Sequence, residues 1–192
     1  CLHLGSSSEV VMTSLEAPIT TMISLQPMNL VQAAADLLWS RVIREFPVRI
    51  ALSEGGIGWI PYFLERADYV YERHARWTGS DFGGRLPSEV FRERFLTCFI
   101  EDHFGLRNVD AIGEKNIAYE CDYPHSDSVW PHTPERLYEG VKHLPDATID
   151  RITHANALEV FKFDAIGMLG GRKNCTVGAL RAQAKHVSTT PV

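Results

Sequence analysis

Four apolar runs, each ending on a polar or charged group, divide this chain. They are Leu2-His3-Leu4, Val48 to Glu54, Phe95 to Ile100, and Ile117 to Cys121. Continuous apolar character over a few residues, bounded by turn signals, reads as a strand buried on both faces. Between the runs the spacing of apolar residues changes to three and four. Pro27 to Phe46 predicts a single helix, with Leu30, Ala33, Ala34, Leu37, Leu38, Val42 and Phe46 on its buried face and Pro47 as its stop. Trp59 to Arg76 predicts a second, with Pro61 accommodated in the first turn and Phe63, Leu64, Ala67, Val70 and Tyr71 as its stripe. Leu106–Ile112, Pro134–Leu144 and Ile149–Phe161 read as further helices. Gly5 to Ser8 and the Gly-rich stretch from Thr78 to Pro87 read as loops, and Glu9 to Leu25 as irregular chain.

Strand followed by helix, repeated, predicts parallel βα units and an α/β fold. Four such units make half of a (β/α)8 barrel, a fold that needs about 250 residues. We expect one partial barrel domain over residues 1–165 and a loosely structured tail over 166–192, where glycine and small polar residues take over. The chain opens on Cys1 inside a strand, so the sequence is expected to lack its beginning.

Composition excludes more than it identifies. With 192 residues, 45% hydrophobic, 22% charged and a net charge of −5, the chain is globular and presents no basic surface suited to nucleic acid. No run of about 18 apolar residues offers a membrane span, and no secretory leader is read near Met12 or Met22. Cys1, Cys98, Cys121 and Cys175 form no C-x-x-C pair, which argues against a zinc ribbon and fits a reducing, cytoplasmic compartment.

The chemistry concentrates at the strand ends. His3, Glu54, the Glu101-Asp102-His103 cluster and Asp122 all fall where parallel strands deliver groups to one rim of a barrel. Imidazole and carboxylate suit zinc or manganese. Each has a plainer role too. His3 can be a hydrogen-bonded core histidine, Glu54 a partner for a helix arginine, and Asp122 a loop cap before the turn that Pro124 enforces. Gly55, Gly56 and Gly58 suit a tight turn better than a phosphate cradle, because they lack the dinucleotide spacing. His125 lies close enough in sequence to Asp122 to support it or to touch a substrate.

Four blocks, His3 with its neighbours, Ala51-Leu52-Ser53-Glu54-Gly55-Gly56-Ile57-Gly58-Trp59-Ile60-Pro61, Leu86-Pro87-Ser88-Glu89-Val90-Phe91, and Glu120-Cys121-Asp122-Tyr123-Pro124-His125-Ser126-Asp127, resemble the amidohydrolase-related TIM-barrel proteins. That family includes metal-dependent hydrolases and the decarboxylases similar to aminocarboxymuconate-semialdehyde decarboxylase. The resemblance implies the C-terminal half of the barrel, strands five to eight, and a mononuclear divalent metal, zinc first and manganese second. It assigns His3 to the fifth-strand ligand and Asp122 to the eighth-strand ligand. Glu54 takes the place where the family usually has an acid–base histidine. The family's H-x-H pair is absent, so this chain alone is expected to hold metal weakly.

The resemblance implies a hydrolase in which metal-activated water attacks a small organic substrate, with Glu54 and Asp122 as catalytic groups. Trp59, Tyr123, His125 and Trp130 are expected around the substrate. The competing readings are non-oxidative decarboxylation of an aromatic or dienoic carboxylate, and an inactive truncated fragment. The expected partner is a small molecule, with no nucleic acid and no membrane, and the chain is compatible with a homo-oligomer.

Overall fold

A computed structural model describes residues 1–4, 11–186 and 188. The loop expected at Gly5–Ser8 lies outside these residues. In order, the elements are β1 (Leu2–His3), α1 (Ile19–Leu25), α2 (Pro27–Trp39), α3 (Arg41–Glu45), β2 (Ile50–Ser53), α4 (Ile60–Thr78), α5 (Pro87–Arg94), β3 (Phe95–Phe99), α6 (His103–Leu106), α7 (Val109–Ile112), β4 (Ile117–Tyr119), α8 (Thr133–Val141), α9 (Asp146–Asp150), α10 (Asn156–Phe161), α11 (Ala165–Met168) and α12 (Val177–Gln183).

The four strands form one parallel sheet in sequential order, β1-β2-β3-β4. All four anticipated strands are present, slightly shorter than their apolar runs. Register aligns Leu2 with Leu52, Leu52 with Thr97, and Thr97 with Ile117. This rank faces the helices. Leu52, Phe95, Phe99 and Ile117 join Leu30 and Leu38 of α2, Leu64 of α4 and Phe91 of α5 in the main core. Phe91 and Phe95 stack with ring centroids 4.5 Å apart. The opposite face carries Ala51, Leu96, Cys98 and Ala118, on which Ala157 and Val160 of α10 pack. Because His3 pairs with Ser53, and side chains alternate along a strand, His3, Ser53 and Glu120 share that face.

Three buried polar residues beside the sheet, Thr97, Asn116 and Asn156, are hydrogen-bonded. Asn116 Nδ2 donates to the carbonyls of Arg92 and Phe95, and Thr97 Oγ1 donates to the Asn116 carbonyl. Asn156 Nδ2 donates to the carbonyls of Glu114 and Ile117, tying α10 to β4.

The helices depart from expectation in particular ways. The single helix over 27–46 is two, because Ser40 is extended (φ −73°, ψ 157°) and breaks the turn. The break resets the phase. Ile43 is fully buried while Val42 and Phe46 are 46% and 55% exposed. The irregular stretch before residue 25 contains α1, and α5 fills the span before β3. The helix anticipated at Ile149 starts at Asp146 and runs through a π-turn at Arg151–Ala155. Beyond Ala165 the chain forms α11 and α12. No helix among the described residues is long and apolar enough to cross a membrane.

Candidate metal centre

Each strand's end delivers its side chain by a specific local device. At the end of β2, Glu54 adopts a left-handed backbone (φ 64°), and beyond β4, Asp122 does the same (φ 54°). An L-residue in this region costs about 1–2 kcal/mol, so both turns need support. Asp122 receives it from a tight turn, in which the N–H of His125 donates to the Asp122 carbonyl at 2.9 Å. Glu54 receives it from a carboxylate just past the end of β4, since its N–H donates to Glu120 Oε1 at 2.6 Å.

The loop after Glu54 is held by Asp102. Its carboxylate accepts the N–H groups of Ile57 at 2.7 Å, Gly58 at 2.6 Å and Gly105 at 2.7 Å. The amides that a phosphate would need are therefore taken by an internal anion. The fit is close. A Cβ on Gly58 would lie 3.0 Å from Asp102 Oδ1, and one on Gly105 would collide with the Ile57 side chain. Trp59 completes the loop by donating Nε1–H to the carbonyls of Gly55 and Gly56, with its ring packed on Phe63 and Phe91.

The supported turns bring the rim groups together. His3 Nε2 lies 2.7 Å from Glu54 Oε1, and His125 Nδ1 lies 3.0 and 3.1 Å from the two Asp122 oxygens. Glu54 and Asp122 stand as close neighbours in this cluster, and His3 and His125 each pair with one of them. Among the described residues, Glu54, Asp122 and His125 each offer a ligand atom within 4.8 Å of the others. The carboxylates are largely shielded and the two imidazoles are more than half exposed. His3 stands beside Glu54, which in turn neighbours Asp122. Far from acting as a core histidine, its side chain is 54% exposed.

Electrostatics follow from this crowding. Burial pushes the Glu54 carboxyl up, and the neighbouring Asp122 carboxyl adds to the shift, while His3 opposes it. His3 is raised chiefly by its bond to the Leu4 carbonyl, then by Glu54. Glu120 is pushed up to about 7 by burial, against the pull of the Glu54 N–H. Two carboxyls within 4.8 Å of each other favour a proton or a cation between them. A donor set of two carboxylates and an imidazole is suited to a divalent ion such as zinc or manganese. The residues present therefore fit a metal, with His125 as the donor the sequence had placed around the substrate.

Tyr123 and Trp130 pair at the outer edge of this cluster's loop, ring centroids 4.9 Å apart, with Tyr123 60% exposed. Glu101 pairs with Arg136 of α8. A cavity of about 730 Å³ lies elsewhere, between α8, α9, α10 and the last helices. Its walls include Leu137, Val141, Leu158 and Leu180 and none of the rim cluster.

Comparison with known proteins gives the same direction. A family model described as amidohydrolase matches residues 3–163. Similar solved structures include a decarboxylase and an amidohydrolase. One is 5-carboxyvanillate decarboxylase from Sphingomonas paucimobilis, 24% identical with a TM-score of 0.59, the match covering 72% of this chain and 41% of that one. The other is an amidohydrolase from Mycobacterium avium subsp. paratuberculosis K-10, 17% identical with a TM-score of 0.62, covering 74% of this chain and 36% of that one. The chain thus spans less than half the length of either, and at these identities the likeness is one of fold. A search of curated proteins finds no match.

Proposed function

The chain belongs to the amidohydrolase family of TIM-barrel proteins, and from that premise we propose that its rim cluster is the metal-dependent centre of a hydrolase acting on a small organic molecule. The four strands correspond on this reading to strands five to eight of the barrel, with the domain ending near residue 165 and the remainder outside it. We place the activity in the cytoplasm.

The observation that supports the reading is the convergence of Glu54, Asp122 and His125 within ligand distance, with His3 in contact with Glu54. Asp122 and His125 would hold the ion, with Glu54 facing it. A divalent ion there supplies Lewis acidity and lowers the pKa of water to about 7. The chain's own residues supply the proton path. Glu54, raised by burial, can hold a proton at Oε1 and exchange it with His3 Nε2 across 2.7 Å. Tyr123, His125 and Trp130 would line the approach for substrate, while Trp59 would act on the same approach by keeping the loop after Glu54 closed.

A second reading, decarboxylation of an aromatic carboxylate, is favoured by the Tyr123–Trp130 ring pair, a surface on which an aromatic acid can stack. In that case the cation side would hold the carboxylate and the Glu54–His3 pair would deliver a proton to carbon. The test is to load the protein with zinc or manganese and assay a panel of esters, amides and aromatic acids. Hydrolysis without CO₂ release supports the first reading, and CO₂ release without hydrolysis replaces it with the second. Neither activity, together with no bound metal, would remove both and leave the inactive fragment.

A further inference from the structure

We propose that Glu120 is a positioning residue, whose carboxylate fixes the Glu54 peptide in the left-handed turn that aims the Glu54 side chain at His3 and Asp122. The inference rests on the reading of Glu54 as a site residue. Glu120 is the one charged group in the apolar run that ends β4, on the face that carries Ala51, Leu96, Cys98 and Ala118. Its own N–H is bonded to the Phe99 carbonyl of β3 at 3.1 Å. From there its side chain reaches past β3 to the end of β2, where Oε1 accepts the Glu54 N–H at 2.6 Å. The bond joins residues 66 apart in sequence.

Placing a carboxylate here is unfavourable by itself. It is partly desolvated and lies near two others, Glu54 and Asp122. Its contact to the Glu54 amide is a charge-assisted bond of short length, the kind that offsets such a cost. It also falls on a backbone unit that needs support, since Glu54 has φ 64° without being glycine. Without the acceptor, the Glu54 turn can relax toward ordinary extended or helical backbone, which swings the carboxylate away from its partners. Glu120 thus acts on the centre through Glu54.

Two substitutions separate this role from a simple charge effect. Glu120→Gln keeps an oxygen to accept the N–H and removes the charge, whereas Glu120→Ala removes both. Zinc affinity measured by titration calorimetry is expected to stay within about threefold in Gln and to fall at least about tenfold in Ala. Exchange of the Glu54 amide hydrogen, which needs no metal, is expected to be slow in wild type and Gln and at least about tenfold faster in Ala. Equal losses in Gln and Ala, or unchanged exchange in Ala, would overturn the proposal. If the Ala chain does not fold, Gln alone decides, and loss of its zinc affinity or amide protection overturns the proposal. A wild-type chain that binds no zinc defeats the metal-centre reading, while the exchange comparison still judges Glu120.

Discussion

His3 Nε2 meets Glu54 Oε1 at 2.7 Å, across a gap of 51 residues in sequence. Strand pairing produces the contact, because His3 lies beside Ser53, the residue before Glu54. The pair is a path for a proton, and general acid–base partners of this kind contribute about a hundredfold or more to rate. Both His3→Ala and Glu54→Gln are therefore expected to lower turnover by about 10²-fold on whichever substrate class the panel identifies. The double variant should lose little more than either single one, since one path is broken twice. Additive losses in steady-state kinetics would mean that the two residues act separately.

Asp122 and His125 are bonded to each other within one turn, and that turn is where metal retention should fail first. Asp122→Asn keeps size and removes charge, and His125→Ala removes the imidazole. Each is expected to weaken zinc binding at least about tenfold, whereas Trp130→Ala, outside the donor set, should change it by less than about threefold. Calorimetric titration decides between them. Wild-type affinity in both Asp122→Asn and His125→Ala would rule this cluster out as the metal centre.

Much of this was legible in the residue order, for identifiable reasons. Buried strands announce themselves by continuous apolar runs, so all four were found, and the alternation with helices gave the parallel sheet. The rim carboxylates Glu54 and Asp122 stood out because they end such runs. What escaped depended on backbone details that periodicity does not encode. Ser40 breaks a helix without proline or glycine, and its break moves burial from Val42 to Ile43. Asp102 was visible as a rim acid, but nothing local says that two of its three partners are amides some 45 residues away. Glu120 did leave a signal, one charge inside an apolar run, which marks a paired carboxylate even when the partner is unknown.

Asp102 should prove to be a stability residue and not a ligand. Its carboxylate serves three backbone N–H groups, and Asp102→Ala leaves them without an acceptor in a tightly packed loop. Each unmet buried donor costs about 1–3 kcal/mol, and partial access of water lowers the sum, so a loss of about 3 kcal/mol is expected. For a chain of this size that corresponds to about 6–12 °C in Tm. Thermal denaturation followed by circular dichroism measures it. A Tm within about 2 °C of wild type would show that the loop does not depend on Asp102.

Thiol chemistry should distinguish the cysteines sharply. Burial, with help from the nearby Glu120 charge, pushes the Cys98 thiol up to about 12. Only about one molecule in ten thousand then carries the thiolate at about pH 8, and the side chain is buried as well. Cys1 is exposed. In the folded protein a disulfide reagent is expected to modify Cys1 rapidly and to leave Cys98 intact until denaturant is added, as mass spectrometry of the peptides would show. Labelling of Cys98 at the rate of Cys1 would mean that the sheet opens readily on the face that carries Cys98.

The last helix should be released by acid. Arg181 of α12 grips Glu135 of α8 through two bonds, 2.6 and 3.0 Å long. The guanidinium holds the Glu135 carboxyl down to about 2, from an ordinary 4.5. Because the folded value is depressed, the stabilisation is complete above about 4.5 and is lost as pH falls toward about 2. Both partners are exposed, so salt screens the pair and its effect stays local. Amide exchange in α12 should therefore accelerate between those two pH values, and Glu135→Gln should show the faster exchange already at neutral pH. Added salt at about 1 M should bring wild type toward the variant. If exchange in α12 is unchanged by acid, salt and substitution alike, the apolar side chains Val177 and Leu180, which face the cavity beside α8, hold the helix without help from the ion pair.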